Sequence, residues 1–221
     1  GTAAAVYATA SRPACLKRLA KRMGGNFCRK RTDLLTLQNA NRLEIFSSFV
    51  CSFNNVITRK EGFAFTRLAD MAAQDENGNL LPSFTVFSAE CFTGGIPALK
   101  IAPAESPFCR SRFTAVKTKD EHINTAYRIF LSAPQAARLL TASLQQLLKR
   151  QTDMYVEIYD NAFVYHEGRL VPPGEAEDFR LRATRVLAEL TKEKRQTPPA
   201  QAQRAVKMPE ELPDEKVLAL L

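Results

Sequence analysis

Residues 154–190 read MYVEIYDNAFVYHEGRLVPPGEAEDFRLRATRVLAEL, and this stretch decides the fold. Apolar and polar side chains alternate over residues 154–158, which is typical of a β-strand. Tyr159-Asp160-Asn161 predicts a tight turn, and a second apolar run follows it. We therefore expect a β-hairpin that ends before Pro172-Pro173.

A long helix is predicted directly after that proline pair, from about residue 175 to 194. Acidic side chains lie in its first turn and basic ones at its end, as the helix dipole favours. Its apolar side chains recur at helical spacing and predict one buried stripe, made of Phe179, Ala183, Val186, Leu187 and Leu190.

A second long helix is predicted at about residues 133–150. Ser132 suits the N-cap, and Pro134 falls in the first turn, where its missing N–H costs nothing. The fold class expected is thus α+β, with mainly antiparallel sheet packed against these two long amphipathic helices. Strand-type composition marks residues 43–57, 63–68, 84–92, 98–101, 113–116 and 127–131.

The charge is unevenly distributed along the chain, which has 221 residues and a formal net charge of +8. Residues 1–31 contain no acidic side chain, whereas the rest holds 23 basic against 23 acidic groups. We predict a basic arm with a short helix at residues 1–31, one α+β domain at 32–195 and a Pro/Gln-rich tail at 196–221. Besides Arg12, the basic side chains of the arm are Lys17, Arg18, Lys21, Arg22, Arg29, Lys30 and Arg31.

The arm allows three interpretations. Small apolar residues followed by a basic cluster are typical of the cytoplasmic flank of a membrane span, which would place these side chains at a membrane surface. A disordered basic leader and the remnant of an organelle transit peptide have similar compositions. No run of 18 apolar residues occurs within the chain, so a span would have to precede residue 1.

The cysteines and histidines do not predict a metal site. The five cysteines form no C-x-x-C pair, and the histidines are His122 and His166 alone. Isolated cysteines in apolar surroundings favour a reducing compartment. No glycine-rich phosphate loop is present either, so no cofactor is expected.

Four side chains are of types that commonly take part in catalysis. His166 and Glu157 are expected at outward or turn positions, since the sequence offers neither a catalytic partner. His122 is expected in solvent, and Cys91 has no neighbour that would activate its thiol. An enzyme would need a site assembled from distant residues such as Asp70, Cys91 and Glu157.

The tail ends in PDEKVLALL, which could form a short amphipathic segment. It is the predicted contact for a protein partner or a second copy, through Val217, Leu218, Leu220 and Leu221.

The order of four segments resembles a group of bacterial proteins of unknown function. These segments are residues 54–70, 84–105, 123–148 and 154–171, and the matching positions are Asn55, Val56, Asp70, Pro97, Tyr127 and Glu157. The chain departs from the pattern at Arg59–Gly62, where an earlier glycine is expected. The resemblance implies N-terminal transmembrane helices followed by one α+β domain, at the cytoplasmic face of the bacterial inner membrane. It implies no reaction.

The sequence therefore favours a non-enzymatic, membrane-tethered module for protein interaction or assembly. The first alternative is binding of nucleic acid or anionic lipid by the basic arm, although the near-neutral remainder of the chain makes nucleic acid the weaker partner. The second alternative is an enzyme with an unrecognised site.

Overall fold

The computed structural model describes residues 2–31, 43–61, 64–91 and 95–196. Within them one antiparallel sheet of nine strands dominates. The strands are β1 (Asn26–Arg31), β2 (Val50–Glu61), β3 (Ala64–Gln74), β4 (Phe84–Cys91), β5 (Ile96–Pro103), β6 (Thr114–Val116), β7 (Tyr127–Leu131), β8 (Tyr155–Asp160) and β9 (Ala162–His166). The helices are α1 (Thr2–Arg22), α2 (Glu44–Ser47), α3 (Glu121–Ala126), α4 (Ala142–Arg150) and α5 (Ala176–Gln196).

The strand order is β1-β2-β3-β4-β9-β8-β5-β7-β6. Strands β1 to β4 pair in chain order, so they form a meander. The hairpin of β8 and β9 joins this meander to the later strands, because β9 pairs with β4 and β8 pairs with β5. The hairpin predicted at residues 154–166 is confirmed and lies at the centre of the sheet.

The sheet buries apolar side chains on both faces. The helical face carries Phe87, Phe163 and Tyr165, which share a core with Leu19 of α1 and Phe179 of α5. The opposite face, here called the loop face, is covered by α2 and by the segment 103–113. Its core contains Ile45 and Phe108 from that cover and, from the sheet, Phe84, Met71, Tyr155 and Val164.

The expected fold class is wrong, because only one of its two long helices forms. Residues 134–139 form a 3₁₀ helix, and α4 begins separately after Thr141. The Thr141 hydroxyl accepts a hydrogen bond from the Leu144 backbone N–H at 3.2 Å. This N-cap starts a new helix and so divides the predicted one into two short pieces.

The last helix is confirmed within two residues at each end. It spans Ala176–Gln196, and each side chain of the predicted apolar stripe is buried. Arg182 binds Glu167 through two hydrogen bonds of 2.7 and 3.0 Å, which fastens α5 to the residue after β9. The chain divides at Thr191 into a large unit and a second unit, of which only the end of α5 is described.

The described part of the predicted arm is built into the sheet. β1 pairs with β2, and α1 buries Leu16, Leu19 and Ala20. α1 ends at Arg22, and Gly24 shortly after it adopts a φ of +66°, a conformation that commonly terminates a helix. Among the described helices none is both long enough and apolar enough to span a bilayer.

Candidate functional site

A buried polar cluster lies on the loop face, and Glu157 is at its centre. The prediction that Glu157 faces outward is wrong, because its residue exposure is 0%. The backbone N–H groups of Glu44 and Ile45 donate to its two carboxylate oxygens. The Tyr155 hydroxyl donates to Oε2 at 2.7 Å. Glu157 thus caps α2, whose own N-cap residue offers no side-chain hydrogen bond.

Lys100 and Glu44 complete the cluster. Lys100 is the cross-strand partner of Glu157 in the sheet. Its ammonium group donates to Glu44 Oε2 at 2.9 Å and to the Arg110 carbonyl oxygen at 2.6 Å. The Arg112 backbone N–H donates to the other Glu44 oxygen at 2.9 Å. Every carboxylate oxygen of the cluster therefore accepts a hydrogen bond from within the protein.

The two carboxyl groups differ in their acidity. Burial raises the pKa of Glu157, against the opposing effects of the Glu44 N–H and Lys100. Burial would also raise the pKa of Glu44, but the hydrogen bonds from Lys100 and the Arg112 N–H outweigh it and the pKa is lowered. Glu44 is therefore the ionised partner of Lys100.

His166 lies beside this cluster and is also buried, so the expectation of a surface histidine is wrong. Its ring stacks on Tyr155 with centroids 4.5 Å apart and contacts Phe84 and Phe108. Burial lowers the pKa of His166 to about 3. Its Nδ1 accepts a hydrogen bond from the Gly168 N–H at 3.1 Å, whereas Nε2 has no partner among the described residues. An unpaired buried donor of this kind costs about 1–3 kcal/mol.

Two concave surfaces border the loop-face core, and both include Phe108. One, of about 500 Å³, lies against Phe49, Lys100 and Cys109. The other, of about 380 Å³, is here called the His166 groove. Its walls are mostly apolar, and its lining consists of Leu81, Pro82, Phe84, Pro103, Glu105, Ser106, Pro107, Phe108, Thr152, Asp153, His166, Glu167 and Gly168.

This arrangement does not assemble a nucleophile with a base. An enzyme site assembled from distant residues would need Asp70, Cys91 and Glu157 to lie together. Asp70 and Glu157 lie on opposite faces of the sheet, and the Cys91 side chain lies outside the described residues. The described ranges contain no group of three His, Cys, Asp or Glu side chains placed to hold a metal ion. His122 is exposed on α3, as predicted.

Asp70 belongs to a second polar network, on the helical face. Arg12 of α1 binds both of its carboxylate oxygens, at 2.8 and 2.6 Å, and donates to the Val171 carbonyl oxygen at 2.7 Å. Asn55 donates to Asp70 Oδ2 at 2.8 Å from a backbone with φ of +52°, at an irregularity in the pairing of β2 with β3. Through Thr85 of β4 as well, this network joins α1, three strands and the segment that precedes α5.

The predicted basic residues form an exposed surface at one edge of the sheet. Six of them are exposed on α1 and on the edge strand β1, and we call this set the basic surface: Lys17, Arg18, Lys21, Arg22, Arg29 and Lys30. Arg22 also acts on Glu177 of α5, whose pKa is lowered mainly by Arg180. The Arg31 side chain and the tail residues Val217, Leu218, Leu220 and Leu221 lie outside the described residues.

One feature of the sequence indicates the buried cluster, although the alternation of polar and apolar residues along single strands does not. Lys100 and Glu157 are single charges of opposite sign, each between two apolar residues of a strand. Two such strands can bury their charges as a pair if they are neighbours in a sheet. Glu44 carries no comparable signal, because nothing near it in the sequence indicates burial.

The fold and its polar clusters define an antiparallel-sheet protein whose polar groups serve mainly structure. No model of a protein family matches the chain, and no curated protein matches it. The chain is similar to the crystal structure of the mycobacterial trehalose monomycolate transport factor A, TtfA, with a TM-score of 0.57. The sequences are 14% identical, and the match covers 86% of this chain and 97% of that one. At this identity the likeness shows the fold alone.

These findings overturn the predicted family resemblance. The four matching segments correspond to sheet strands and their connections, so their order reflects the fold and does not identify a family. The positions that carried the resemblance, such as Tyr127 and Glu157, are buried structural residues. The expectation of a membrane-associated α+β protein rested on that resemblance and on the basic arm. It is wrong, because the described residues form a sheet-rich fold similar to that of TtfA.

Proposed function

We propose that this protein is a non-enzymatic interaction module that binds an acidic protein partner through the basic surface. The observation that carries the proposal is the exposure of six cations on the adjacent elements α1 and β1. Both elements lie within residues 1–31, which contain no acidic side chain. Like charges on adjacent elements repel one another, so an acidic partner relieves that repulsion on binding.

The internal polar networks support a binding role over a catalytic one. Glu44, Lys100 and Glu157 direct their polar atoms at one another and at backbone groups. Such groups hold a fold together and leave no atom to receive a substrate proton. The structural likeness to a transport factor is compatible with a protein that works by binding.

A charge-neutralising variant tests the proposal. Lys17, Arg18, Lys21 and Arg22 are changed together to Gln, and the matched control changes four exposed cations elsewhere, Lys117, Lys119, Arg128 and Arg150, to Gln. Partners are captured from a nuclease-treated extract of the source cell at low and high salt, identified by mass spectrometry, and purified for direct titration.

We expect an acidic protein that binds the wild type and the control with similar affinity and the α1 variant at least about tenfold more weakly, because each rim charge adds to attraction. Equal binding by both variants would contradict the proposal. A parallel capture from untreated extract is the comparison: capture that occurs only without nuclease treatment would instead identify nucleic acid as the ligand, with the salt dependence typical of phosphate contacts.

A further inference from the structure

His166 carries a buried hydrogen-bond donor to which none of the described residues offers an acceptor. Because Nδ1 accepts from the Gly168 N–H, the neutral ring must carry its proton on Nε2. This Nε2–H is buried and has no partner among the residues that the structure describes. Buried polar groups are nearly always paired, so this N–H is a position at which a bound molecule could supply the acceptor.

The His166 groove provides the space for such an acceptor. Its volume of about 380 Å³ falls in the range of small-molecule sites. Pro82, Pro103 and Pro107 line it, and their fixed backbone angles restrict how far its walls can relax without a ligand. The rings of Phe84 and Phe108 provide the apolar contact.

The charges of the groove select against anions. Glu105 and Asp153 are exposed members of its lining, which contains neither Lys nor Arg. Glu167 is already bound by Arg182, so it remains ionised without needing a ligand. A carboxylate or phosphate would meet only like charge there.

We propose that the His166 groove binds a neutral small molecule with an apolar body, and that a carbonyl, ether or hydroxyl oxygen of this ligand accepts a hydrogen bond from His166 Nε2. The Phe108 ring, whose centroid is 5.3 Å from that of His166, packs against the His166 ring together with Phe84 and Tyr155, and Nε2 is buried. Binding therefore includes a displacement of the Phe108 side chain, which belongs to the loop cover and not to a strand. This site is separate from the basic surface and does not depend on the function proposed for it.

The chain is suited to a direct test because it has only two histidines. Protein labelled with ¹⁵N-histidine is titrated with acetophenone, with α-methylstyrene, which has the same shape without the carbonyl oxygen, and with benzoate. We expect acetophenone to shift the His166 Nε2 resonance and leave His122 unchanged. Benzoate is expected to bind more weakly than either neutral probe.

Two variants separate binding from folding. His166→Phe keeps an aromatic ring and removes the donor, so the preference for acetophenone over α-methylstyrene should fall about tenfold, the value of one hydrogen bond. Thr152→Trp changes an exposed residue of the lining and should abolish binding of both probes, whereas Ser143→Trp on the exposed side of α4 should not. Thermal unfolding of each variant shows whether it remains folded.

Three results would overturn the proposal. One is the absence of any His166 shift with the neutral probes. Another is an equal preference in wild type and His166→Phe. The last is an Nε2–H that donates only to a resident water, so that its resonance does not change at saturating acetophenone.

Discussion

Glu157 illustrates how a single charged residue can lie inside a sheet. Alternation along β8 placed it on the polar side of the strand, and that side turned out to be a second core. The sequence could not show this, because the cover comes from α2, more than 100 residues earlier in the chain. Hydrogen bonds from two backbone N–H groups and a tyrosine hydroxyl offset much of the free-energy cost of removing this carboxylate from water.

Truncation of this side chain should therefore be much more damaging than loss of its charge. Glu157→Ala leaves two backbone N–H groups and the Tyr155 hydroxyl without an acceptor and should lower the free energy of unfolding by about 3–5 kcal/mol. Glu157→Gln retains one acceptor oxygen and should cost about 1–3 kcal/mol. Urea unfolding at constant m-value measures both, with the exposed Glu76→Ala as control. Equal effects of Glu157→Ala and Glu76→Ala would refute the capping role.

His166 should make stability depend on pH. Its folded pKa of about 3 lies below the ordinary value of 6.5, so the unfolded chain binds a proton between these values and the folded chain does not. Stability should therefore fall as pH decreases from 6.5, by about 2 kcal/mol between pH 7 and pH 5. The groups around the ring are Phe84, Phe108, Tyr155 and the Gly168 N–H, none of which titrates in this range.

Unfolding curves of His166→Phe and His122→Phe at pH 7 and pH 5 measure this contribution. The first variant should lose the His166 share of the pH dependence, and the second should retain it because His122 is exposed. If the free energy of unfolding changes equally with pH in wild type and His166→Phe, His166 takes up its proton in the folded protein over the same pH range as in the unfolded chain.

At the scale of elements, the sequence predicted α5 well and the earlier helix poorly. The apolar stripe of α5 is continuous and both ends carry matched charges, so local signals agree. Residues 133–150 also have a helical stripe, but Thr141 can cap a new helix as well as continue an old one, and periodicity cannot distinguish the two. The strand segments 84–92 and 127–131 match β4 and β7 closely, whereas residues 44–47 of the segment 43–57 form α2, and β1 was not predicted.

The attachment of α1 depends on a residue that no pattern indicated. Arg12 directly precedes Pro13, and its guanidinium group binds Asp70, whose side chain is 11% exposed. Arg12→Leu leaves that carboxylate without its cation and should destabilise the protein by about 2–4 kcal/mol.

Hydrogen exchange identifies where that loss occurs. Amides of α1 near Leu16 and Leu19 should exchange faster in Arg12→Leu, while those of β8 keep their protection. Arg18→Leu, on the exposed side of the same helix, is the control and should leave both sets unchanged. Uniform acceleration throughout the sheet would show that α1 does not open as a separate element.

At the scale of the whole molecule, one strand pair joins the first four strands to the rest of the sheet. β4 and β9 join residues about 80 positions apart, such as Val86 and His166. The pairing of β4 with β9 was not predictable, since the alternation of a strand gives its two faces but not its neighbours. The core of the helical face crosses this junction and contains residues of both strands.

This topology predicts slow and cooperative folding. Closing the loop between β4 and β9 costs chain entropy before any contact compensates for it, so refolding should take milliseconds to seconds. Stopped-flow fluorescence of a Tyr-based signal, compared with far-UV circular dichroism, measures the rate. Two separate equilibrium transitions would contradict a core shared across the junction.

The two ends of the sheet bear on how copies of this protein behave when concentrated. An open sheet can grow by adding the edge of a neighbouring molecule, which is the first step toward fibres. β6 limits that growth by having only three residues, and β1 limits it through the like charges of Arg29 and Lys30. A partner that neutralises β1 would remove this protection while it is bound, so the cations that attract a ligand are also the ones that keep unbound copies from stacking.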